Sequence, residues 1–154
     1  MAKILVVFDF DYTIVDGDYD KSLLKLLPVP LPEEVQQIKS KDSHWSEYMC
    51  GLFDFLHQHQ ISPEQIKETV VKASLNHGMK ELFDHLNQEV YEVIVISDSN
   101  MLFIDWSLTG HGLRQYIDYV YANPAELSKD GKLVMRFYHQ QDWCDMSTKN
   151  LCKG

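Results

Sequence analysis

"LVVFDFDYTIVDGDYD" (Leu5–Asp20) runs from an apolar segment into five aspartates: Asp9, Asp11, Asp16, Asp18 and Asp20. The longer stretch "KILVVFDF" (Lys3 to Phe10) is a short, continuous apolar run rich in Val and Ile. It predicts a strand buried on both faces, as in a parallel sheet. The carboxylates begin where that strand ends. Crowded carboxylates repel one another, and two circumstances allow them: water screens them, or a cation or phosphate site needs them.

The rest of the chain continues the pattern. "YEVIVIS" (Tyr91 to Ser97) reads as a second buried strand, and "YIDYVYAN" (Tyr116 to Asn123) as a weaker third. "KLVMRFY" (Lys132 to Tyr138) follows the turn "KDG" and suits an edge strand or hairpin arm. Between the first two strands the period becomes helical. Trp45, Tyr48, Met49, Leu52, Phe53 and Leu56 form one apolar stripe, with Ser43 as cap and Glu47 placed to assist. This stripe reads as core of the helical part. "SPEQIKETVVKASL" opens with Ser62 as N-cap and Pro63 at the first helical position. "GMKELFDHLNQE" puts Met79, Leu82, Phe83 and Leu86 on one face. "SNMLFIDWSLTGHG" predicts a helix ending near Gly110 or Gly112, and "PVPLPEE" breaks the chain between helices.

Strands alternating with helices predict an α/β fold, a Rossmann-like parallel sheet. An insert of roughly 60 residues is too long for one crossover and reads as an inserted helical cap. The expected division is an α/β core from 1–15 and 90–154, with cap and connections at 16–89.

Composition narrows the function. The chain has 154 residues, is 45% hydrophobic and carries a formal net charge of -9. That is enough for one domain with a real core. The basic residues form no run, so a nucleic-acid surface is not expected. No apolar window reaches membrane-spanning length, and "MAKILVVF" lacks the features of a secretory leader. Cys50, Cys144 and Cys152 are odd in number and scattered, which fits reduced thiols in a cytoplasmic protein. The seven histidines show no ligand spacing.

Ligands of open parallel sheets bind beyond the carboxyl ends of the strands. Asp9 and Asp11 lie at the first strand end; Ser97, Asp98, Ser99 and Asn100 lie at the second. A carboxylate at a strand tip can attack phosphorus. A second carboxyl two residues on can protonate the leaving oxygen and then deprotonate water. A cation is needed between these carboxylates and a phosphate dianion, and oxygen ligands with phosphate favour Mg²⁺.

"DFDYT" (Asp9 to Thr13) matches the DxDxT motif of the haloacid dehalogenase (HAD) superfamily, and "ISDSN" (Ile96 to Asn100) resembles its second motif. "ANPAELSKDGKLV" and "NLCKG" resemble the branch containing phosphoethanolamine/phosphocholine and pyridoxal phosphate phosphatases, and the resemblance runs from Ile4 to Lys153. It implies a HAD-like fold and a Mg²⁺-dependent phosphomonoesterase of small phosphorylated metabolites, acting through an aspartyl-phosphate. Asp9 would be the nucleophile and Asp11 the general acid/base. Asp9 and the Asp11 carbonyl would hold Mg²⁺. Ser97 and Lys153 would bind phosphate. Asp20 and Asp98 fall where the branch carries carboxylates near the substrate head group; Asp16 and Asp18 have no such assignment.

The superfamily's fourth motif, an acidic loop completing the Mg²⁺ site, would follow Lys153 and is not matched within these residues. The sequence thus predicts a HAD-like sheet incomplete at its C-terminus, with an unpaired apolar edge on the strand bearing Asp9. Self-association through that edge is an expected consequence. The alternative to an active enzyme is a catalytically impaired, phosphatase-like binding or regulatory module. Ser147 also stands where relatives tend to have Cys, which removes support for a thiol or metal role there.

Overall fold

The structure is a computed structural model and describes residues 3–39 and 45–153. Three strands form the parallel sheet: β1 (Ile4–Phe8), β2 (Tyr91–Asn100) and β3 (Tyr119–Asn123), in the order β1-β2-β3. The register pairs Val6 with Val93 and Phe8 with Val95, then Ile94 with Tyr119. Between β1 and β2 the chain forms α1 (Asp20–Leu24), α2 (Glu33–Lys39), α3 (Trp45–Gln58), α4 (Pro63–Val71) and α5 (Met79–Leu86). Helix α6 (Met101–Gly110) joins β2 to β3, and β4 (Ala125–Leu127) and β5 (Leu133–Met135) form an antiparallel hairpin. The expected order of elements is reproduced, and of the 132–138 stretch only Leu133–Met135 forms the arm of a hairpin, turned by Gly131, whose φ is +82°.

Local signals account for the helices. Ser62 accepts from the Gln65 N–H while Gln65 reaches back to the Ser62 N–H, a capping box that starts α4 with Pro63. In α3, Tyr48, Met49, Leu52, Phe53 and Leu56 are buried as one stripe. The proposed Ser43 cap lies outside the described residues. Helix α6 is capped by Asn100, whose Oδ1 accepts from the Phe103 N–H at 3.0 Å. Gly51 lets α2 approach α3, since a Cβ there would lie 2.9 Å from Val35 Cγ1.

One core runs through sheet and helices. Phe53 and Tyr19 both meet the Phe103 ring edge-on, linking α3 and the 9–19 loop to α6. Phe83 of α5 packs on Phe8 of β1 and stacks with Tyr116. The hairpin lies on α3, where Lys132 Nζ is 2.6 Å from Asp54 Oδ1.

Two expectations need correction. β1 is not buried on both faces: Ile4, Leu5 and Val7 are 53%, 57% and 50% exposed. Among the described residues β1 pairs only with β2, and only the face carrying Val6 and Phe8 is packed by helices. The other face shows Leu5 and Val7, with Tyr119 and Tyr121 of β3 also exposed. An apolar run therefore marks a parallel strand without guaranteeing that both faces are covered. Leu82 likewise leaves the apolar face of α5 and is exposed, because Met79, Phe83 and Leu86 already fill the contact with the core.

Candidate active site

The aspartates sit where β1 ends and the chain turns back on itself. Phe10 is fully buried and its carbonyl accepts from the N–H groups of Thr13, Ile14 and Val15. That tight turn brings Asp9 and Asp11 to the rim of the sheet. Tyr12 adopts a left-handed conformation (φ 57°), unusual for a bulky residue, and its hydroxyl donates to Asp18 Oδ2 at 2.8 Å.

Asp9 is held at both oxygens. The Phe10 N–H donates to Oδ1 at 2.7 Å, and Lys153 Nζ donates to Oδ2 at 2.6 Å. Lys153 reaches this point because its segment is anchored. Asn123, fully buried at the end of β3, accepts from the Tyr138 N–H and from Asn150 Nδ2, each at 3.0 Å. Its own Nδ2 donates to the Asp98 carbonyl at 2.6 Å. Leu151 is buried, and the Cys152 N–H donates to His139 Nε2 at 3.0 Å. Asn123 therefore ties the loop after β2 to the segment bearing Lys153. Sequence reading did not select it, although an Asn at a strand end before Pro124 was a visible signal.

Asp11 is the most perturbed group. Burial, then the charges of Asp98, Asp9 and Asp18, push its carboxyl up to about 8, while a hydrogen bond with Ser99 pulls the other way. Its Oδ1 is buried with no hydrogen-bond partner among the described residues. Asp98 is raised chiefly by burial, against the pull of the Lys153 ammonium. A cavity of about 290 Å³ opens here, lined by Asp9, Asp11, Tyr12, Asp18, Trp45 and Asp98.

Of the residues singled out in the sequence, Asp9, Asp11 and Asp98 line this cavity, and Lys153 reaches Asp9 on it. Ser97 does not line it: the residue is fully buried, with its Oγ accepting from the Ser99 N–H at 3.1 Å. Asp98 and Ser99 form a neighbouring wall with Asp11 and Asp18. Asp20 is set back: it is fully buried and ion-paired with Lys39. Asp18 and Trp45 face the cavity and carried no assignment. Asp18 was hidden among five similar aspartates, and Trp45 among the apolar positions of its helix. Asp16 does not line the cavity; its N–H bonds the Ser74 carbonyl.

A divalent cation suits this donor set in kind, being all oxygen, and the buried, unpartnered Asp11 Oδ1 marks an uncompensated acidic site. The set falls short in number: among the described residues no three His, Cys, Asp or Glu side chains group so as to hold a metal ion.

The chain is similar to several known phosphatases. The chain is 36% identical over 155 residues to the pyridoxal phosphate phosphatase of Mus musculus, covering 99% of this chain and 64% of that protein. It is 31% identical over 154 residues to the phosphoethanolamine/phosphocholine phosphatase of Gallus gallus, covering 98% of this chain and 57% of that protein. The chain thus spans less than two thirds of these relatives' length. Among solved structures, a phospho-aspartyl intermediate analogue of phosphoserine phosphatase superposes with a TM-score of 0.60 at 23% identity, over 86% of this chain and 61% of that one. A HAD family hydrolase from Salmonella enterica serovar Typhi gives 0.63 at 14% identity, over 84% and 43%. These two likenesses bear on the fold. The Putative Phosphatase family model matches residues 4–154, nearly the whole chain, and the chain belongs to that family.

Proposed function

We propose that this chain carries the reacting groups of a Mg²⁺-dependent phosphomonoesterase for small phosphorylated metabolites. Pyridoxal phosphate, phosphoethanolamine and phosphocholine are the candidate substrates, by the names of its relatives. The observation that carries the reading is Asp9, fixed at both oxygens beside a buried carboxyl, Asp11, that holds its proton near neutral pH.

Asp9 attacks phosphorus, and the bond from phosphorus to the leaving oxygen breaks as the aspartyl-phosphate forms. Asp11 gives its proton to that leaving oxygen. Water then attacks phosphorus, Asp11 takes its proton, and orthophosphate leaves with Asp9 restored. Lys153, Ser97 and the Ser99 wall supply positive charge and donors to the phosphate. Asp98 and Asp20 lie toward the head group. The Asp9 carboxylate and the Asp11 carbonyl are the oxygen ligands this chain offers Mg²⁺, which when bound would offset the charge between carboxylates and phosphate. Residues 16–89 serve as the cap over core segments 1–15 and 90–154. Cys50, Cys144 and Cys152 stand outside any disulfide, which fits a cytoplasmic setting, and among the described residues no helix is long and apolar enough to cross a membrane. The uncovered face and edge of β1 make self-association a further part of the proposal.

A second reading, a binding or regulatory module of low activity, draws on the incomplete metal donor set. Phosphate release from the three candidate substrates, with Mg²⁺ titrated, separates them. Mg²⁺-dependent multiple turnover supports the enzyme; none from a folded chain supports the module.

A further inference from the structure

A larger cavity of about 530 Å³ lies between α1, the 28–32 segment and α2, with Lys39 and Tyr48 in its wall. At its edge the Lys39 ammonium is enclosed on three sides. It pairs with the carboxylate of Asp20, and sits 5.5 Å from the centre of the Trp45 ring and 5.2 Å from that of Tyr48. Tyr48 also directs its hydroxyl to Asp20, at 3.4 Å. Burial alone would raise the Asp20 carboxyl. Its polar neighbours, Asp18 and then the Lys39 ammonium and the Lys21 N–H, outweigh burial and hold it below the usual carboxylate range. A charged carboxylate walled by two aromatic faces is the chemistry that recognises an ammonium group.

The enclosure adjoins the reacting site. Trp45 lines the cavity of Asp9 as well, and so does Asp18, two residues before Asp20. A substituent on a phosphate seated at Asp9 would extend past Trp45 toward Asp20. Lys39 comes from the last turn of α2, a helix with no buried residue, and its side chain is 40% exposed. Its ammonium is therefore delivered to the enclosure from the surface, not built into the core.

We infer that Asp20, Trp45 and Tyr48 form an ammonium-binding box that Lys39 fills from within, so that among the three candidate substrates the chain disfavours phosphoethanolamine and phosphocholine, whose head groups are cationic, against pyridoxal phosphate. The box stands on geometry alone; the substrate preference rests on the phosphatase reading above.

Calorimetric titration with tetramethylammonium chloride tests the box. Lys39→Ala should bind it about tenfold more tightly than the unsubstituted chain, and Lys39→Ala/Asp20→Asn should lose that gain. A folded Lys39→Ala that binds no better than the unsubstituted chain would overturn the inference. Should that variant not fold, lysine-selective NMR of the unsubstituted chain decides. Ring currents should move the Lys39 side-chain resonances upfield, whereas ordinary surface-lysine positions would overturn the box. In an active chain, Lys39→Ala should raise kcat/KM for phosphocholine relative to glycerol 2-phosphate by about tenfold. An unchanged ratio with tetramethylammonium bound would overturn the substrate preference. The binding and NMR readouts involve no turnover, so their failure leaves the phosphatase reading standing, and loss of activity leaves the box standing.

Discussion

Lys153 donates to Oδ2 of Asp9 at 2.6 Å, closing a contact between residues 144 positions apart in the chain. The pair is partly solvated, at 37% and 44% side-chain exposure, so its contribution to stability is small. Its value is positional: one ammonium faces the acidic cluster of Asp9, Asp11 and Asp98. Lys153→Met should therefore lower turnover by about 10²–10³-fold, the cost of removing one preorganised donor. Chemical denaturation should show a stability change within about 1 kcal/mol. A large loss of stability with turnover preserved would reverse that assignment.

The raised carboxyl of Asp11 makes folding pH-dependent. Its ordinary value is 3.8 and its folded value about 8, so the folded chain binds one more proton than the unfolded chain between them. The stabilisation is present in full below the ordinary value and is lost as pH rises through about 8. The slope is about 1.4 kcal/mol per pH unit for one such group. Urea midpoints measured across this window should fall as pH rises in the unsubstituted chain, and fall less steeply in Asp11→Asn. Parallel pH profiles would contradict the perturbation.

Asn123 bonds three different segments and is fully buried. Asn123→Ala leaves buried polar groups without partners, at about 1–3 kcal/mol for each. Denaturation should report a loss of about 3 kcal/mol or more. Hydrogen exchange should quicken at Tyr138, which donates to Asn123. Turnover should fall with it, because the segment carrying Lys153 loosens. Unchanged exchange at Tyr138 would show that the anchor lies elsewhere.

Leu5 and Val7 stand exposed on β1, whose outer edge is unpaired among the described residues. Lysines at exposed edges oppose strand pairing. Sedimentation should show concentration-dependent association of the unsubstituted chain, and its suppression in Leu5→Lys/Val7→Lys. A monodisperse monomer at high concentration would remove this face as a contact surface.

The sheet and most helices were legible because their signals are local. The runs at 3–10 and 91–97 have strand length and β-branched content, and the Ser62-Pro63 start and the stripe of α3 have the spacing of helices. The pairing of Asp9 and Asp11 with the residues after Ile96 was legible because parallel strands bring their carboxyl ends to one side. Other features depend on nonlocal contacts. Exposure of Leu5 depends on what covers the sheet, which an apolar run cannot state. The placement of Asp18 in the cavity and of Asp20 behind it depends on the left-handed turn at Tyr12 and on Lys39 from another helix. The role of Asn123 depends on three segments distant in sequence.

The most direct test of the central claim, that Asp9 is the nucleophile, is acid-quench mass spectrometry of the chain mixed with pyridoxal phosphate and Mg²⁺. The account predicts a phosphoryl group on the peptide containing Asp9, and loss of both label and phosphate release in Asp9→Asn. Phosphate release that survives in Asp9→Asn, or a phosphoryl group on another residue, would contradict it.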